Sequence, residues 1–400
     1  MSLKPVDEAV AAILARVPEV AAETVPLSMA AGRVLAAPVI ADHDQPPFNA
    51  SAMDGYALRA SDAAGGAALR VIGMSQAGAG HDGTLGPGEA VRIFTGAPLP
   101  AGADTVIMQE EAEREGDLVR FNAPVRRGHS VRPRGHDFTT GQALLAAGTL
   151  LGPLQLSVAA AANAGTVAVA RRPSIALLAT GDELVLPGSP LGPDQIVASN
   201  SAGLSPLLLP YAERVADHGI ARDDRRQLRD HLAAIFEEQP DVLVTTGGAS
   251  VGEHDLVQDV LKELGVTLDF WRINMRPGKP LMFGIRGRTL VFGLPGNPVS
   301  AMVTALVFIR PALRHWLGCP EPEGWQLPLA AATPPNTARR HFMRARLVQT
   351  AGGPRALPIL ETDSGHTSSL SVADLLIVQP EHDPGQPPGA VVEAMPIFGF

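Results

Sequence analysis

Carboxylates follow a glycine where a run of apolar residues ends. In Thr180-Gly181-Asp182-Glu183, two acids follow the glycine that comes after the mainly apolar residues 174–179. Asp255 comes after a second glycine turn, at 247–248. Carboxylate oxygens near phosphate groups suit Mg²⁺, and they also act as general acids or bases. The same residue types cap helices and turns, so each acid alone is equally consistent with a structural role.

A loop of glycine and serine residues carries a second pattern with chemical meaning. Gly248-Ala249-Ser250-Val251-Gly252 matches the nucleophile elbow of serine hydrolases, for which Asp269 and either His315 or His341 are available as partners. Gly247 lengthens the turn before the serine. This favours a different loop, in which backbone N–H groups and the serine hydroxyl bind a phosphate at a helix N-terminus. We predict the phosphate-binding loop, with the hydrolase as the alternative.

Two cations lie on a short turn between prolines, Arg276-Pro277-Gly278-Lys279-Pro280. Proline stiffens the backbone, and fixed cations bind oxyanions through charge-assisted hydrogen bonds. A charged turn of this kind is also common in solvated loops. Two arginine clusters are interpreted as local anion sites or solvated faces: Arg126, Arg127, Arg132 and Arg134, and Arg339, Arg340, Arg344 and Arg346.

The elements that position these residues are predicted from apolar strands that alternate with helices after Pro173. This alternation is typical of a doubly wound parallel sheet, whose ligands bind outside the carboxyl ends of its strands. The junctions 180–183, 246–248 and 293–297 all lie at such ends. We predict strands over 174–179, 241–246 and 289–292, and helices over 201–217, 224–238, 254–264 and 299–317.

The rest of the chain does not show this alternation of apolar strands and helices. Short strands between turns predict a β-rich domain over 46–140, and strands separated by proline and glycine predict a β domain over 321–400. Apolar spacing predicts a helix over 5–17, and we expect 141–172 to return to the first domain. The predicted domains are therefore 1–45 with 141–172, then 46–140, 173–320 and 321–400.

Composition excludes several classes of function. The 400 residues carry a net charge of −9, so there is no basic field for general nucleic-acid binding. The uncharged stretches 147–170 and 289–309 contain glycine, proline and asparagine, which argues against membrane-spanning helices. A single cysteine, Cys319, and an N-terminus without a signal peptide predict a cytoplasmic protein. The histidines lack metal-ligand spacing, so zinc chemistry is not indicated.

Several motifs, taken in order, resemble one known family. They are Ser51-Ala52-Met53-Asp54-Gly55-Tyr56-Ala57, Phe94-Thr95-Gly96-Ala97-Pro98, Thr180-Gly181-Asp182-Glu183-Leu184, residues 247–255, residues 276–280 and residues 294–301. The ordered set resembles the MoeA/gephyrin E-domain family, the molybdopterin molybdenumtransferases, over essentially the whole chain. The resemblance implies a multidomain α/β plus β fold. Its parts are a MogA-like doubly wound α/β domain, a β-rich second domain, an elongated N-terminal domain and a C-terminal β-barrel-like domain.

The resemblance also implies an activity and an assembly. Molybdate is inserted into the dithiolene of adenylylated molybdopterin, AMP is released, and Mg²⁺ is required. The implied assembly is a homodimer in which the second domain of one subunit faces the α/β domain of the other, so that Asp54 and Thr95 act in trans. The molybdopterin adenylyltransferase is an implied partner protein, and neither nucleic acid nor membrane is one.

The functional positions of the family fall on defined residues of this sequence. The implied catalytic residues are Asp54, Thr95, Glu183 and Asp255, and the three acids among them are the implied Mg²⁺ ligands. The implied binding residues for the pterin nucleotide and the oxyanion are Asp137, Gly247, Gly248, Ser250, Arg276, Lys279, Pro295, Asn297, Pro298, Arg344 and Ser364.

The chain departs from the family pattern at Arg276, within the motif that begins at Ser364, and at Leu375, where the usual Ala-Asp-Gly-Leu reads Ala373-Asp374-Leu375-Leu376. The family often has lysine where Arg276 stands, and its Ser-Gly-x-Leu-Ser-Ser motif reads Ser364-Gly365-His366-Thr367-Ser368-Ser369 here. Two alternative functions stay open: an adenylyltransferase-like nucleotide-pterin enzyme, and a non-catalytic carrier of molybdopterin or molybdate. The motifs do not distinguish molybdate from tungstate, because both are tetrahedral dianions of similar size.

Overall fold

The computed structural model describes residues 3–63, 66–122, 125–248, 256–320, 322–361 and 363–397. The helices in these ranges are α1 (Val6–Leu14), α2 (Pro153–Ala161), α3 (Asn200–Leu208), α4 (Arg225–Glu237), α5 (Leu256–Glu263), α6 (Pro298–Thr304) and α7 (Arg310–Trp316). A π-helical turn, Ala305–Ile309, joins α6 to α7, so the long helix predicted over 299–317 is confirmed. None of the helices in the described ranges combines the length and the apolar composition needed to cross a membrane.

Strand pairing separates two regions within the first 172 residues. The strands are β1 (Ala22–Pro26), β2 (Val39–Ile40), β3 (Ala50–Ser51), β4 (Gly55–Leu58), β5 (Leu69–Ser75), β6 (Glu89–Ile93), β7 (Thr105–Met108), β8 (Ala112–Glu115), β9 (Leu118–Phe121), β10 (Val131–Arg132), β11 (Ala143–Leu145) and β12 (Thr166–Ala170). β1 pairs with β12 and β2 pairs with β11, so the two ends of this stretch pack together. Between them lies a six-stranded sheet in the order β7-β4-β6-β5-β9-β8.

Residues 173–320 fold around a second six-stranded sheet. The strands are β13 (Ser174–Thr180), β14 (Leu184–Val185), β15 (Ile196–Val197), β16 (Arg214–Ala221), β17 (Val242–Thr246), β18 (Thr267–Arg272), β19 (Met275–Arg276), β20 (Pro280–Arg286) and β21 (Thr289–Leu294). The sheet order is β16-β13-β17-β21-β20-β18, and its first four strands are parallel. Apolar residues of α3 and α6 pack on one face, and those of α4 and α5 on the other, so the sheet is doubly wound.

Two expectations about this sheet were wrong. The helix predicted over 201–217 ends at Leu208, and Arg214–Ala221 is instead the edge strand β16. The α-helical turn gives way to a 3₁₀ turn, Leu209–Tyr211, in which Pro210 has no N–H to donate to an α-helical bond. The sheet is also not wholly parallel, because β20 pairs antiparallel with both β21 and β18. A two-residue turn, Gly287-Arg288, joins β20 to β21, and only antiparallel neighbours can be joined so tightly.

The C-terminal residues form a closed barrel, as the resemblance implied. The strands are β22 (Trp325–Pro328), β23 (Arg340–Thr350), β24 (Gly353–Pro358), β25 (Leu375–Gln379) and β26 (Val391–Pro396). They pair in the order β22-β26-β25-β23-β24, and a bridge between Leu329 and Ala356 closes the ring. β19 pairs in parallel with β23, which attaches the barrel to the α/β region.

Candidate functional site

The three glycine-containing junctions lie together at one edge of the α/β sheet, as the sequence indicated. They follow β13, β17 and β21, which are neighbouring parallel strands. Gly247 N donates to Leu294 O at 3.2 Å, which ties the second junction to the third. Asn200 Nδ2 donates to Gly296 O at 2.9 Å, which holds the third junction against α3.

Gly247 and Gly248 are required by the backbone at this edge. Both have left-handed φ angles, +86° and +63°. A Cβ on Gly247 would lie 2.3 Å from Thr180 O, and one on Gly248 would lie 2.2 Å from Val257 Cγ2. The two glycines are therefore needed for this loop to pack so closely against Thr180 and Val257. The rest of the predicted phosphate loop, with Ser250 and Asp255, lies outside the described residues, and so does the serine of the hydrolase alternative.

A cleft of about 340 Å³ lies between the α/β region and the barrel. Residues from β19 and the turn after it, from the start of α6, from β23 and from the loop before residue 365 form its walls. Five of the predicted binding residues line the cleft together: Arg276, Lys279, Pro295, Asn297 and Ser364. Three polar residues that were not among the predicted binding residues line it as well: Ser300, Arg339 and His341.

Local structure explains how this cleft is assembled. The parallel pairing of β19 with β23 places Arg276 opposite His341. Gly278 turns the chain toward Lys279 with φ +98°, and a Cβ there would lie 2.4 Å from Thr304 Oγ1. Asn297 precedes α6 without capping it; its Nδ2 instead donates to Ser364 Oγ at 2.8 Å. Pro298 is the first residue of α6.

The cleft is electropositive. Burial, followed by the charge of Arg339, lowers the pKa of the Arg276 guanidinium, which nevertheless stays charged near neutral pH. Arg276 Nε is buried and has no hydrogen-bond partner within the described ranges. Lys279 likewise forms no ion pair with any acid that the structure describes. Cations held without internal partners suit a tetrahedral oxyanion.

Arg344 does not line the cleft, which differs from the expectation that it contacts the oxyanion. Its side chain is only 4% exposed. Nη1 donates to Ser369 Oγ and His366 O, and Nη2 donates to Glu361 O. These bonds tie the loop that carries Ser364 to β23, so Arg344 acts on the cleft through that loop.

The substitution Arg344→Lys is expected to destabilise the barrel by about 2–3 kcal/mol, because a lysine cannot replace several charge-assisted bonds from a buried guanidinium. The loop would then hold Ser364 less firmly, so the Kd of a tetrahedral oxyanion in the cleft should rise. Thermal unfolding and isothermal titration calorimetry measure the two effects. Arg346→Lys, at an exposed position of the same strand, is the matched control. If Arg344→Lys and Arg346→Lys have the same effect in both measurements, Arg344 does not hold the loop that carries Ser364.

Acidic residues cluster beside the first junction. The Glu183 carboxylate folds over Gly181, where a Cβ would lie 2.5 Å from Glu183 Oε2. Asp182 Oδ1 accepts from Asp223 N at 3.1 Å. Partial desolvation, followed by the charge of Asp182, raises the pKa of Asp223, while the Arg222 guanidinium donates to Asp182 O beside it. In the part of the chain that the structure describes, no three acids, histidines or cysteines are arranged to hold a metal ion.

Asp54 and Thr95 form a second, separate pair: Asp54 directly precedes β4, and Thr95 lies in the turn after its neighbour β6. Asp54 Oδ1 accepts from Thr95 N at 2.7 Å and from Thr95 Oγ1 at 2.8 Å. These two donors lower the pKa of Asp54, which keeps it ionised. Both residues are exposed, and neither lines the cleft of its own chain. Asp137 is also exposed and outside that lining, with its backbone N bonded to Gln45 O at 2.9 Å.

Family models match almost the whole chain in three consecutive pieces. Residues 4–163 match the MoeA N-terminal region (domain I and II), and residues 176–315 match a probable molybdopterin binding domain. Residues 326–397 match the MoeA C-terminal region (domain IV).

Individual proteins also match this chain over most of its length. A molybdopterin molybdenumtransferase 2 from Mycobacterium tuberculosis is 35% identical over 375 residues, covering 90% of this chain and 91% of the relative. A molybdopterin molybdenumtransferase from a Nostoc species is 38% identical over 312 residues, covering 76% of this chain and 71% of the relative. Two solved structures of the molybdopterin biosynthesis MoeA protein from Pyrococcus horikoshii have TM-scores of 0.85. They are 32% and 28% identical to this chain, and at least 98% of each chain is covered.

Proposed function

Because the chain belongs to the molybdopterin molybdenumtransferase family, we propose that it inserts molybdate into the dithiolene of adenylylated molybdopterin and releases AMP. This reaction is the last step of molybdenum cofactor synthesis. The observation that carries the proposal is the electropositive cleft beside the glycine-rich edge of the sheet. One part of the site suits a tetrahedral dianion, and the adjacent part suits a nucleotide phosphate.

The oxyanion is proposed to bind between Arg276, Lys279 and Ser364. The two cations neutralise its charge, and the Ser364 hydroxyl donates a hydrogen bond while Asn297 holds it in place. Because the cations have no acid partners among the residues described, their positive charge is available to the dianion. Fixed donors of this kind need little reorganisation when the ligand arrives.

The pterin nucleotide is proposed to bind along the sheet edge next to the oxyanion. Gly247 and Gly248 let its phosphate approach the backbone, and Pro295, Asn297 and Pro298 border the same edge. Ser250 is assigned to the phosphate by sequence and lies outside the described residues. Asp137 is assigned to substrate binding on the resemblance alone.

We propose that Mg²⁺ binds at the acidic end of the site, beside Glu183. Glu183 supplies hard carboxylate oxygens, and the raised pKa of Asp223 reports negative charge that a cation would offset. We assign Asp54, Glu183 and Asp255 as ligands, the last from sequence alone. When bound, Mg²⁺ supplies charge neutralisation at the phosphate of the departing AMP. Apart from that role, Glu183 and Asp54 are the proposed general bases.

We further propose a homodimer whose active site combines both subunits. The support is that an ionised Asp54 is held by two hydrogen bonds from Thr95, and that neither residue lines the cleft of its own chain. In a twofold symmetric dimer, the surface around Asp54 on each subunit would contact the cleft of the other subunit. The same contact would therefore occur twice and would complete both active sites.

Mixed dimers test this arrangement. When Asp54→Asn chains are combined with Lys279→Gln chains, a site shared between subunits leaves one intact site in every mixed dimer. The expected activity is about half that of the wild type, because the second site carries both substitutions. Each variant dimer alone should be inactive. Inactive mixed dimers would show that Asp54 and Lys279 act within the same chain, and would contradict the shared site.

The proposed domain division is 1–45 with 141–172, then 46–140, 173–320 and 321–400. The pairings of β1 with β12 and of β2 with β11 support the discontinuous first domain. We propose a cytoplasmic location on the single cysteine of the sequence. The molybdopterin adenylyltransferase is the proposed partner, because it produces the adenylylated substrate.

The test is AMP release from adenylylated molybdopterin with Mg²⁺, measured with and without molybdate. Release that depends on molybdate, together with formation of a cofactor that activates a molybdenum enzyme, supports the proposal. Tight pterin binding without AMP release would instead identify a carrier. Formation of adenylylated molybdopterin from ATP would identify the adenylyltransferase-like alternative.

A further inference from the structure

The cleft contains a histidine that the sequence did not identify as a binding residue. His341 on β23 is 4% exposed and lines the cleft beside Arg276 and Lys279. Its Nδ1 lies 3.3 Å from Gln379 Oε1, on the neighbouring strand β25. With Nδ1 engaged there, Nε2 is the ring nitrogen left for a ligand in the cleft.

Hydrogen bonds behind the ring determine which nitrogen carries the proton. Gln379 Nε2 donates to Pro334 O at 2.7 Å and to Asp383 Oδ1 at 3.2 Å. Both amide hydrogens are therefore used, and the amide oxygen is the group that faces His341. An oxygen acceptor requires Nδ1–H as its donor. In the neutral ring, Nε2 is consequently an acceptor.

The charged groups around this ring are cations. Arg276 approaches from β19, while Arg339 and Arg344 belong to the same segment as His341. From β25 the neighbour is the neutral amide of Gln379, with Asp383 behind it. Burial, followed by the charge of Arg276, lowers the pKa of His341 to about 4. The ring is therefore neutral near pH 7 when no anion is bound.

We propose that the cleft binds its oxyanion together with one proton, which His341 Nε2 takes up from the solvent. This inference rests on the proposed function, because it concerns the same oxyanion site. A dianion offers only acceptors, so an unprotonated Nε2 would face another acceptor, whereas an imidazolium adds a donor. The dianion also offsets the surrounding cations, so anion binding and protonation favour each other.

The pH dependence follows from the sign of this coupling. His341 is neutral above its low pKa in the free protein, and the bound dianion raises that pKa. Between these two values, each anion that binds takes up a proton, so affinity increases as the pH falls. Above about pH 4 and below the raised pKa of the complex, the Kd for molybdate is expected to decrease by up to about tenfold for each pH unit that the pH falls.

Isothermal titration calorimetry of the full chain with molybdate, in buffers of different ionisation enthalpy, counts the protons taken up. The wild type should take up as much as one proton per anion. His341→Asn keeps a donor for Gln379 but cannot titrate, so it should take up none, with a Kd that changes little with pH. His382→Asn is the control, because His382 is exposed on the same barrel and its positive φ suits asparagine.

The possible results distinguish failure of this proposal from failure of the proposed oxyanion site. Proton uptake that persists in His341→Asn, or its absence in the wild type, would contradict it while leaving the oxyanion site intact. If His341→Asn does not fold, an NMR titration of His341 in the wild type replaces it: molybdate must raise the pKa of this ring, and an unchanged pKa would contradict the inference. Failure of the wild type to bind molybdate would contradict the proposed site itself and the inference with it.

Discussion

Replacing Lys279 by glutamine is expected to lower the rate of molybdate-dependent AMP release by about 10²- to 10³-fold, the typical cost of losing one fixed oxyanion donor. No carboxylate among the described residues pairs with this ammonium, so its charge serves the ligand rather than the fold. Glutamine keeps most of the length and the polarity of the side chain but removes that charge.

Initial rates measured against molybdate concentration test this prediction. Both a raised KM for molybdate and a lowered kcat are expected, while binding of adenylylated molybdopterin should be nearly unchanged. Lys262→Gln is the control, because Lys262 is exposed in the last turn of α5. Its effect should stay within about twofold, as for other surface substitutions. A Lys279→Gln enzyme as active as this control would remove Lys279 from the site.

Replacing Gly247 by alanine is expected to destabilise the α/β region by at least about 2 kcal/mol and to abolish pterin nucleotide binding. The φ of Gly247 is +86°, and an added Cβ would lie 2.3 Å from Thr180 O. Neither backbone can move away easily, because Gly247 N also bonds to Leu294 O in the neighbouring strand. The substitution would therefore separate the junctions that the nucleotide must contact.

Thermal unfolding and nucleotide binding measure these two effects. The Tm of the transition that includes the α/β sheet should fall by at least about 4 °C. Gly165→Ala is the control, since an added Cβ at Gly165 meets no atom within 4 Å. That variant should differ from the wild type by less than about 0.5 kcal/mol. Normal nucleotide binding by Gly247→Ala would show that the close approach of these junctions is not needed.

The convergence of the three junctions could be predicted without knowing the order of the strands in the sheet. Buried strands over 174–180, 242–246 and 289–294 carry apolar runs that end in glycine, and parallel strands place such ends on one edge. The cationic turn at 276–280 could be recognised from its prolines. Its position beside Ser364 depends on the pairing of β19 with β23, which local sequence does not reveal.

Other parts of the site depended on contacts that periodicity does not report. Asp223 follows β16, a strand that was not predicted because residues 214–217 were interpreted as the end of a helix, so the place of Asp223 beside Asp182 was missed. His341 and Arg344 lie three residues apart on one strand. Side chains three apart on a strand point to opposite faces of the sheet. His341 accordingly lines the cleft, while Arg344 is occupied with carbonyls of a loop on the other face.

Anomalous diffraction would show directly whether the oxyanion binds in the cleft between the α/β region and the barrel. Crystals soaked in molybdate and measured near the molybdenum absorption edge would locate the metal without assumptions about the reaction. The account predicts a strong peak within hydrogen-bonding reach of the Arg276 and Lys279 side chains. A peak elsewhere, such as beside the arginines at 126–134, with no density in the cleft, would contradict it.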